Sequence, residues 1–363
     1  MIKKIAILGA GNGGCTFAGH LAIKGFEVAL YEDEKFKKNL IGIKERGGVE
    51  LTGAIEGFGK VSTITTNIKE AIRGAEVIMV VVPAFAQLIM AEKIIPYLED
   101  GQIVVFNPDN FASIAFKGML AKKGVDKNVK IAGAESLLYA TRRSGDSTVD
   151  VWGIKDVLSI GVIPASETDQ VLATLKELFT EFVSASDTLT ISLANVNMII
   201  HCPTVLLNTG RIEDTHGDFE FYWQGMTKSV CRVMEAMDRE RIQVAEVLGL
   251  KLRTSLDILK RLYPNEKGDN LHEFLTHSKV HGGRGPNAPD HLGHRYLVED
   301  VANGLIPLSI LGDLVNVPTP TVDSVIQLSE IINGVDYFQT GRNLEVLGLS
   351  GMSIEEIMKY VKE

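Results

Sequence analysis

Hydrophobic residues follow two different patterns along the chain, and the change between them falls near residue 188. Before it, short apolar runs alternate with helical stretches, which is typical of a parallel sheet covered by helices on both faces. After it, strand-like alternation ends and long helical periodicities take over. The sequence therefore predicts an α/β domain over residues 1–187, with a doubly wound and mostly parallel sheet, and an all-helical domain over residues 188–363.

Individual elements follow from the same pattern. The predicted strands cover residues 2–8, 26–31, 75–82, 103–106, 129–132 and 157–161. The predicted helices cover residues 68–73, 172–182, 193–208, 222–248, 252–262, 322–332 and 354–361, and a further helix follows the first strand. The run AEVIMVVV at 75–82 is apolar on both faces, as a central parallel strand requires, and Pro83 ends it.

A glycine-rich turn, GAGNGG, joins the first strand to the first helix. Gly9 permits a tight turn, Gly11 lets the backbone approach a pyrophosphate, and Gly14 lets the helix pack closely on the strand. The free N–H groups at the positive dipole end of that helix would face the phosphates. Because the motif stands between a strand and a helix, it predicts a Rossmann dinucleotide-binding domain. The predicted cofactor contacts in this turn are Gly9, Gly11, Asn12, Gly13 and Gly14.

Three further positions complete the predicted cofactor site. Glu32 ends the second strand, eighteen residues after Gly14, where a carboxylate can accept hydrogen bonds from the adenosine ribose hydroxyls. A carboxylate there repels a 2′-phosphate, so we expect NADH to be preferred over NADPH, although the lysines that closely follow could soften this preference. Val82 and Pro83 end a central strand, and ligands of doubly wound sheets lie beyond the carboxyl ends of the strands. We therefore expect both to border the cofactor.

Composition restricts the partners and the compartment. The chain has 363 residues, of which 45% are hydrophobic and 23% charged, and a formal net charge of −9. An acidic surface disfavours nucleic acid and anionic membranes, and no apolar run approaches the ~18 residues of a membrane span. The first strand begins with no signal peptide before it, and three widely spaced cysteines form no disulfide or metal motif. We expect a cytoplasmic protein with small-molecule ligands, and the sequence leaves a homodimer open.

The helical half contains two polar motifs. His201 stands in NMIIHCPTVLLNTGRI, near the end of an apolar helix, and taken alone it is more readily explained as a core or helix-capping histidine. A nucleophilic pair with Cys202 is disfavoured, because adjacent helical residues point about 100° apart. The second motif, HLGHRYLVEDVANGLIPL, contains Arg295, Glu299 and Asp300. Arg295 and Glu299 have i, i+4 spacing and could form no more than a surface ion pair.

Five of the eight histidines lie between His272 and His294. His272-Glu273 followed by His277 nearly reproduces a zinc-protease motif, but a spacing of five places the two histidines on different helix faces. His277 and His281 have i, i+4 spacing without an indicated third ligand. We therefore expect no metal, and we interpret the segment as a mobile loop near the cleft between the domains.

Together these motifs resemble the opine dehydrogenase family over essentially the full length. The shared segments are GAGNGG, VPA after the strand at 75–82, HCPTVLLNTGRI, HRYLVEDVANGLIPLS and VPTPTVDSVIQLS. The resemblance implies that His201 is the acid/base, that Asp300 orients it and that Arg295 holds a substrate carboxylate. Thr204 and Asn208 of the middle motif are assigned to substrate binding. Residues 107–113, NPDNFAS, depart from the glycine-rich loop of the family.

The predicted function is that of an NAD-dependent opine dehydrogenase, which condenses an amino acid with a 2-oxo acid and reduces the imine with hydride from NADH. Its active site is expected in the cleft between the domains. One alternative is a ketopantoate- or glycerol-3-phosphate-type reductase, although residues 193–208 lack the lysine that such enzymes usually have. The other alternative is a dinucleotide-binding sensor without turnover. NADH oxidation that requires both an amine and a 2-oxo acid distinguishes the three.

Overall fold

The computed structural model describes residues 2–283 and 285–363, which form two compact units. The first unit runs to Ile191 and includes Val361–Glu363, and the second unit is Ser192–Tyr360. The hydrophobic pattern of the sequence predicted a boundary between residues 187 and 188 and a C-terminus that belongs entirely to the helical domain. The C-terminus groups with the first unit because Val361 is buried there and Lys362 O accepts a hydrogen bond from Ala165 N at 2.7 Å.

The first unit is built on two sheets. Its strands, β1 to β12 in chain order, are Lys4–Leu8, Glu27–Tyr31, Gly48–Gly53, Gly57–Lys60, Thr63–Thr65, Val77–Val80, Ile103–Phe106, Lys130–Ala134, Tyr139–Arg143, Thr148–Ile154, Leu158–Ile163 and Phe182–Ser184. The larger sheet has the order β12-β11-β8-β7-β6-β1-β2-β5. Its neighbouring strands pair in parallel, except for β8 and β11. The prediction of a doubly wound, mostly parallel sheet is confirmed, with the apolar strands β1 and β6 near its centre.

The smaller sheet, in the order β4-β3-β10-β9, is absent from the sequence prediction. Its strands contain few apolar residues, since β4 reads GFGK and β9 reads YATRR. Glycine lets the sheet approach the first helix, because a Cβ on Gly59 would lie 2.2 Å from Gly19 O. Short strands of this composition have weak hydrophobic periodicity, and the pattern alone therefore misses them.

Helices α1 to α6 cover Asn12–Ile23, Ile41–Arg46, Ile68–Ile72, Ala84–Ile94, Ala112–Lys122 and Thr168–Lys176. The predicted helix at 172–182 is wrong in its second half, because α6 ends at Lys176 and β12 pairs with β11 from Phe182 onward. Leu178, Phe179 and Phe182 are all buried. The apolar positions 172, 175, 178, 179 and 182 keep helical spacing beyond Lys176, so periodicity alone does not reveal where the helix ends and the short strand begins.

Helices α7 to α18 cover Thr188–Ala194, Asn197–Leu207, Thr209–Thr215, Lys228–Val247, Ser255–Leu262, Leu271–His277, Arg295–Asp300, Ile306–Leu314, Pro320–Asn333, Tyr337–Thr340, Leu344–Leu347 and Ile354–Tyr360. Two further segments, Phe221–Gly225 and Val301–Leu305, are π-helical. The predicted helix at 193–208 is divided between α7 and α8, and that at 222–248 begins in a π segment before α10. Among the described residues no strand follows Ser184, so the helical character of this half is confirmed.

The stretch Thr188–Leu207, which comprises α7 and α8, is long and apolar enough to cross a membrane by length and composition, and an 18-residue window within it has a mean hydropathy of 1.4. The prediction that no apolar run approaches this length is therefore too strict. However, 83% of that window is buried inside the structure, as is usual for the core helix of a soluble protein. It is weak evidence for a membrane span.

Candidate active site

A histidine–aspartate pair lies inside the helical unit. His201 is in the middle of α8 and Asp300 is the last residue of α13, and they are 6% and 8% exposed. His201 Nδ1 lies 2.8 Å from Asp300 Oδ2. The helix continues through Pro203, so His201 does not stand near a helix end as the sequence suggested. The fold thus joins the two residues that the motifs assigned to one catalytic pair.

Close packing against α8 makes this contact. The π segment Val301–Leu305 directly follows Asp300, and a Cβ on Gly304 would lie 2.9 Å from Met198 Cβ. Because glycine has no side chain, the segment after α13 can approach α8 one turn before His201. π-Helical turns are rare in proteins, and those that occur are often found at functional sites.

Aromatic rings surround the imidazole. Tyr296 stacks on His201 with ring centroids 4.1 Å apart, and the Phe221 ring lies at 6.0 Å. Tyr222 OH lies 3.2 Å from His201 Nε2. Since a carboxylate only accepts hydrogen bonds, Nδ1 carries the proton toward Asp300, and Nε2 of the neutral ring accepts from the tyrosine hydroxyl. Burial raises the pKa of Tyr222 well above its usual value, which keeps the phenol protonated.

Thr204 and Asn208, the predicted substrate ligands of α8, are bonded within the protein. The Thr204 hydroxyl donates to Ile200 O at 2.6 Å, and the residue is 0% exposed. The Thr204 hydroxyl is therefore bonded within α8, and its contact with a substrate stays a prediction. Asn208 Nδ2 donates to Thr204 O at 2.8 Å and to Gly225 O at 3.0 Å. Asn208 therefore fastens the end of α8 to the π segment that contains Tyr222.

Arg295 begins α13 and is exposed, whereas Glu299 is buried. Among the residues that the structure describes, no ion pair joins Arg295 to Glu299, the surface contact that was weighed as an alternative. Arg295 lies on the same helix as Asp300. His294 precedes Arg295, and its Nδ1 accepts a hydrogen bond from Tyr296 N at 3.2 Å. Burial, followed by the charge of Arg295, lowers the pKa of His294 to about 4. His294 is thus a neutral cap of α13.

Other histidines of the same segment also have partners within the protein. His272 Nδ1 lies 3.0 Å from Met226 O, and His277 Nδ1 lies 2.8 Å from Glu273 O. Within residues 2–283 and 285–363, no group of three potential ligands could hold a metal ion. The contacts of His272 and His277 are those of structural side chains.

The glycine-rich turn of the first unit has the geometry that a dinucleotide requires. Gly9 has φ of +110°, and a Cβ there would lie 2.5 Å from Val81 O. A Cβ on Gly14 would lie 1.7 Å from Gly9 O, so α1 packs on the turn only with glycine at this position. A Cβ on Gly11 would meet no heavy atom within 4 Å, and the first turn of α1 contains no acidic residue. These features fit a pyrophosphate at the helix N-terminus.

The turn after β6 adjoins the glycine-rich turn. A Cβ on Gly9 would lie 2.7 Å from Val82 Cγ1, and Pro83 is the residue that precedes α4. Gly13 faces the same turn, since its Cβ would lie 3.2 Å from a valine side chain there. Asn12 Oδ1 accepts a hydrogen bond from a backbone N–H of β9 at 3.0 Å. The structure thus brings the predicted cofactor residues of both turns together at the carboxyl end of the sheet.

Glu32 follows β2 and is buried. Its Oε2 accepts hydrogen bonds from Ala10 N and from Asn39 Nδ2, both at 3.1 Å, and burial raises its pKa. Two cations near Glu32 were not predicted from the sequence. Arg143 donates to Ala10 O at 3.0 Å, and Lys93 pairs with the aspartate that follows Glu32. Both come from distant elements, β9 and α4, so no local motif indicates them.

The segment at 107–113 connects β7 to α5 without a glycine-rich loop. The Asp109 carboxylate accepts hydrogen bonds from Ser113 N and from its hydroxyl, both at 2.9 Å. A Cβ on Gly133 would lie 2.4 Å from Asp109 Cγ, so the neighbouring strand provides the glycine that makes room for the acid. The departure from the family pattern is therefore a carboxylate cap for the start of α5.

Comparisons with known proteins agree with this architecture. Residues 184–333 match the family model described as NAD/NADP octopine/nopaline dehydrogenase, alpha-helical domain, and residues 4–135 match the NAD-dependent glycerol-3-phosphate dehydrogenase N-terminus. The chain is 33% identical to an opine dehydrogenase from Arthrobacter sp. (strain 1C), over 99% of each chain. Structures of octopine dehydrogenase with NADH and L-arginine, and with NADH and pyruvate, have TM-scores of 0.78 and 0.75 at 22% and 23% identity, covering 98% of each chain.

The two family models, together with the glycine-rich turn, define an NAD-dependent oxidoreductase with a Rossmann domain and a helical domain. The sequence identity of 33% to the Arthrobacter opine dehydrogenase, over 99% of the chain, identifies the family within this class. The chain belongs to the opine dehydrogenase family, and it acts on the CH–NH group of an opine. The predicted fold class and the predicted family are both confirmed.

Proposed function

We propose that the protein catalyses the reversible reductive condensation of an amino acid with a 2-oxo acid, with His201 as the acid/base. The observation that carries this proposal is the buried 2.8 Å contact between His201 and Asp300 in a member of the opine dehydrogenase family. The amine of one substrate attacks the oxo carbon of the other, and loss of water leaves an imine. His201 accepts the ammonium proton and later supplies a proton to the departing oxygen.

Asp300 and Arg295 support this chemistry from the same helix. Asp300 fixes the tautomer of the imidazole and stabilises its protonated form. Arg295 binds a substrate carboxylate, because the planar guanidinium matches a carboxylate with two parallel hydrogen bonds. NADH supplies the hydride that converts the imine carbon to that of a secondary amine.

NADH is proposed as the preferred cofactor. Glu32 supports this, since a buried carboxylate after β2 repels a 2′-phosphate. Arg143 and Lys93 moderate the preference, because they place positive charge near that carboxylate. The proposed cofactor contacts are Gly9, Gly11, Asn12, Gly13, Gly14, Glu32, Val82 and Pro83. The ratio of kcat/KM for NADH and NADPH tests the preference, and equal or higher efficiency with NADPH contradicts it.

Solved octopine dehydrogenase complexes contain L-arginine or pyruvate together with NADH. We propose pyruvate as the first 2-oxo acid to assay, combined with a panel of amino acids and monitored by NADH absorbance. Amine-dependent NADH oxidation identifies the amino acid, and mass spectrometry of the product identifies the secondary amine. The absence of amine dependence across the panel and across several 2-oxo acids contradicts the proposed reaction.

We also infer a cytoplasmic location, because Cys15, Cys202 and Cys231 are buried free thiols, as is usual in a reducing compartment. Activity in a membrane or secreted fraction after cell fractionation contradicts this inference. Sedimentation velocity decides between the monomer and the homodimer that the sequence left open.

A further inference from the structure

The acid/base atom of the proposed mechanism already has a partner within the protein. His201 Nδ1 is bonded to Asp300, and Tyr296 covers one face of the ring. His201 Nε2 lies 3.2 Å from Tyr222 OH. The imidazole is 6% exposed, whereas Tyr222 is half-buried. A proton that enters or leaves Nε2 therefore meets the Tyr222 hydroxyl first.

We propose that Tyr222 is a further catalytic residue, which relays protons between His201 Nε2 and the reacting oxygen and nitrogen atoms of the substrates. The relay rests on the proposed function, because it needs a substrate that loses and regains a proton. A phenol hydroxyl is both a donor and an acceptor, so it can receive a proton from Nε2 while it gives its own to the substrate. An imidazole that is nearly inaccessible can then act on a bound substrate.

Two proton transfers pass through Tyr222, and each conserves protons and charge. In the first, the substrate ammonium gives a proton to the hydroxyl as the hydroxyl gives its own to Nε2, which leaves a free amine and an imidazolium. In the second, the C–O bond of the carbinolamine breaks and the nitrogen lone pair forms the C=N bond. The departing oxygen takes the Tyr222 proton and leaves as water, while Tyr222 takes the proton of Nε2. The products are a protonated imine, neutral His201 and neutral Tyr222.

Two hydrogen bonds hold the π segment that positions Tyr222. The π segment that contains it is held at one end by Phe221 N, which donates to Asn287 Oδ1 at 2.7 Å. It is held at the other end by Asn208 Nδ2, which donates to Gly225 O at 3.0 Å. Burial, the largest cause, raises the pKa of Tyr222 well above its usual value, so the residue is a neutral hydroxyl rather than a phenolate. A relay needs this protonated form.

Tyr222→Phe tests the relay, because it removes the hydroxyl and retains the ring. We expect kcat to fall ~10- to 100-fold, which is within the range of general acid–base catalysis. The KM of each substrate and the Kd of NADH should change less than about twofold. The solvent deuterium isotope effect on kcat should increase, because proton transfer becomes slower. The matched control is Tyr337→Phe, which removes a buried hydroxyl bonded to Asn333 at 3.0 Å and should leave kcat nearly unchanged.

Several outcomes overturn the relay while leaving the proposed function intact. One is an unchanged kcat in Tyr222→Phe while His201→Ala is inactive. Another is a lower KM with equal or higher kcat, which would mean that substrate simply displaces the hydroxyl. A fall in kcat without a larger solvent isotope effect would assign Tyr222 a structural role. Wild-type protein that shows no amine-dependent NADH oxidation would instead contradict the proposed function, and the relay with it.

Discussion

At the scale of single residues, His201 depends on Asp300 for its tautomer and charge. We predict that His201→Ala lowers kcat by ~10²–10⁴, the usual contribution of general acid–base catalysis. Asp300→Asn should lower kcat in the same direction, because an amide does not stabilise the imidazolium. The Kd of NADH, measured by fluorescence, should stay nearly constant, since the glycine-rich turn belongs to the other unit. Near-normal turnover in both variants, with unfolding temperatures unchanged, would make the histidine structural.

Arg295 tests substrate recognition. Arg295→Lys retains the charge but loses the planar pair of hydrogen bonds to a carboxylate. We predict a higher KM for one of the two carboxylate substrates, with a loss of roughly 2–4 kcal/mol, taking hydrogen bonds to charged groups at about 1.5–3 kcal/mol each. NADH binding should be spared. KM values measured separately for the amine and the oxo acid show which carboxylate is held, and unchanged values for both contradict the role.

At the scale of elements, the turn between β1 and α1 contains two glycines with different expected roles, one in packing and one in ligand binding. A Cβ on Gly14 would lie 1.7 Å from Gly9 O, whereas a Cβ on Gly11 would meet no heavy atom within 4 Å. We predict that Gly14→Ala lowers the unfolding temperature, since overpacking typically costs about 1–3 kcal/mol. Gly11→Ala should unfold like the wild type and bind NADH at least ~10-fold more weakly, because the methyl group obstructs the pyrophosphate.

These two glycine variants serve as each other's control. Calorimetry and NADH titration measure both effects on the same samples. If Gly11→Ala binds NADH normally, the cofactor does not approach the turn there. If Gly14→Ala is as stable as the wild type, the helix can move away from the turn at no cost.

The histidine at the start of α13 should make the free energy of unfolding depend on pH. The pKa of His294 is lowered to about 4 in the folded protein, compared with 6.5 for an ordinary histidine. Between these values the unfolded chain binds more protons, so the free energy of unfolding falls as pH falls from about 6.5 through 4. His294→Asn keeps a capping acceptor. We predict that its unfolding temperature falls less between pH 7 and pH 4 than that of the wild type. His216→Asn, at an exposed position whose left-handed backbone asparagine also adopts, is the matched control, and parallel losses in all three proteins contradict the prediction.

Local rules account for what the sequence could predict at this scale. The apolar strands β1 and β6 and the glycine-rich turn follow from composition and backbone sterics over a few residues. His201 and Asp300 were assigned through motifs. Tyr222 was not assigned a role, because its contact with His201 depends on a π segment. The periodicity of the sequence predicted an ordinary helix there. Arg143 was also missed, since it reaches a backbone carbonyl 133 residues away through a sheet that the pattern did not reveal.

At the scale of the whole molecule, the two compact units contain different parts of the proposed reaction. The first contains the glycine-rich turn and Glu32, and the second contains the acid/base pair and Arg295. Family resemblance spans 99% of the chain rather than one domain, which is what a reaction that needs both units requires. The chain therefore contains both the cofactor-binding unit and the unit with the proposed acid/base pair of a bisubstrate enzyme.

An omission assay tests this central claim most directly. NADH absorbance is followed with the amino acid alone, with the 2-oxo acid alone and with both, and the product is weighed by mass spectrometry. We predict oxidation only when both are present, and a secondary amine whose mass is the sum of the two substrates minus water plus two hydrogens. Comparable oxidation with the 2-oxo acid alone would make the protein a 2-oxo acid reductase and contradict the account.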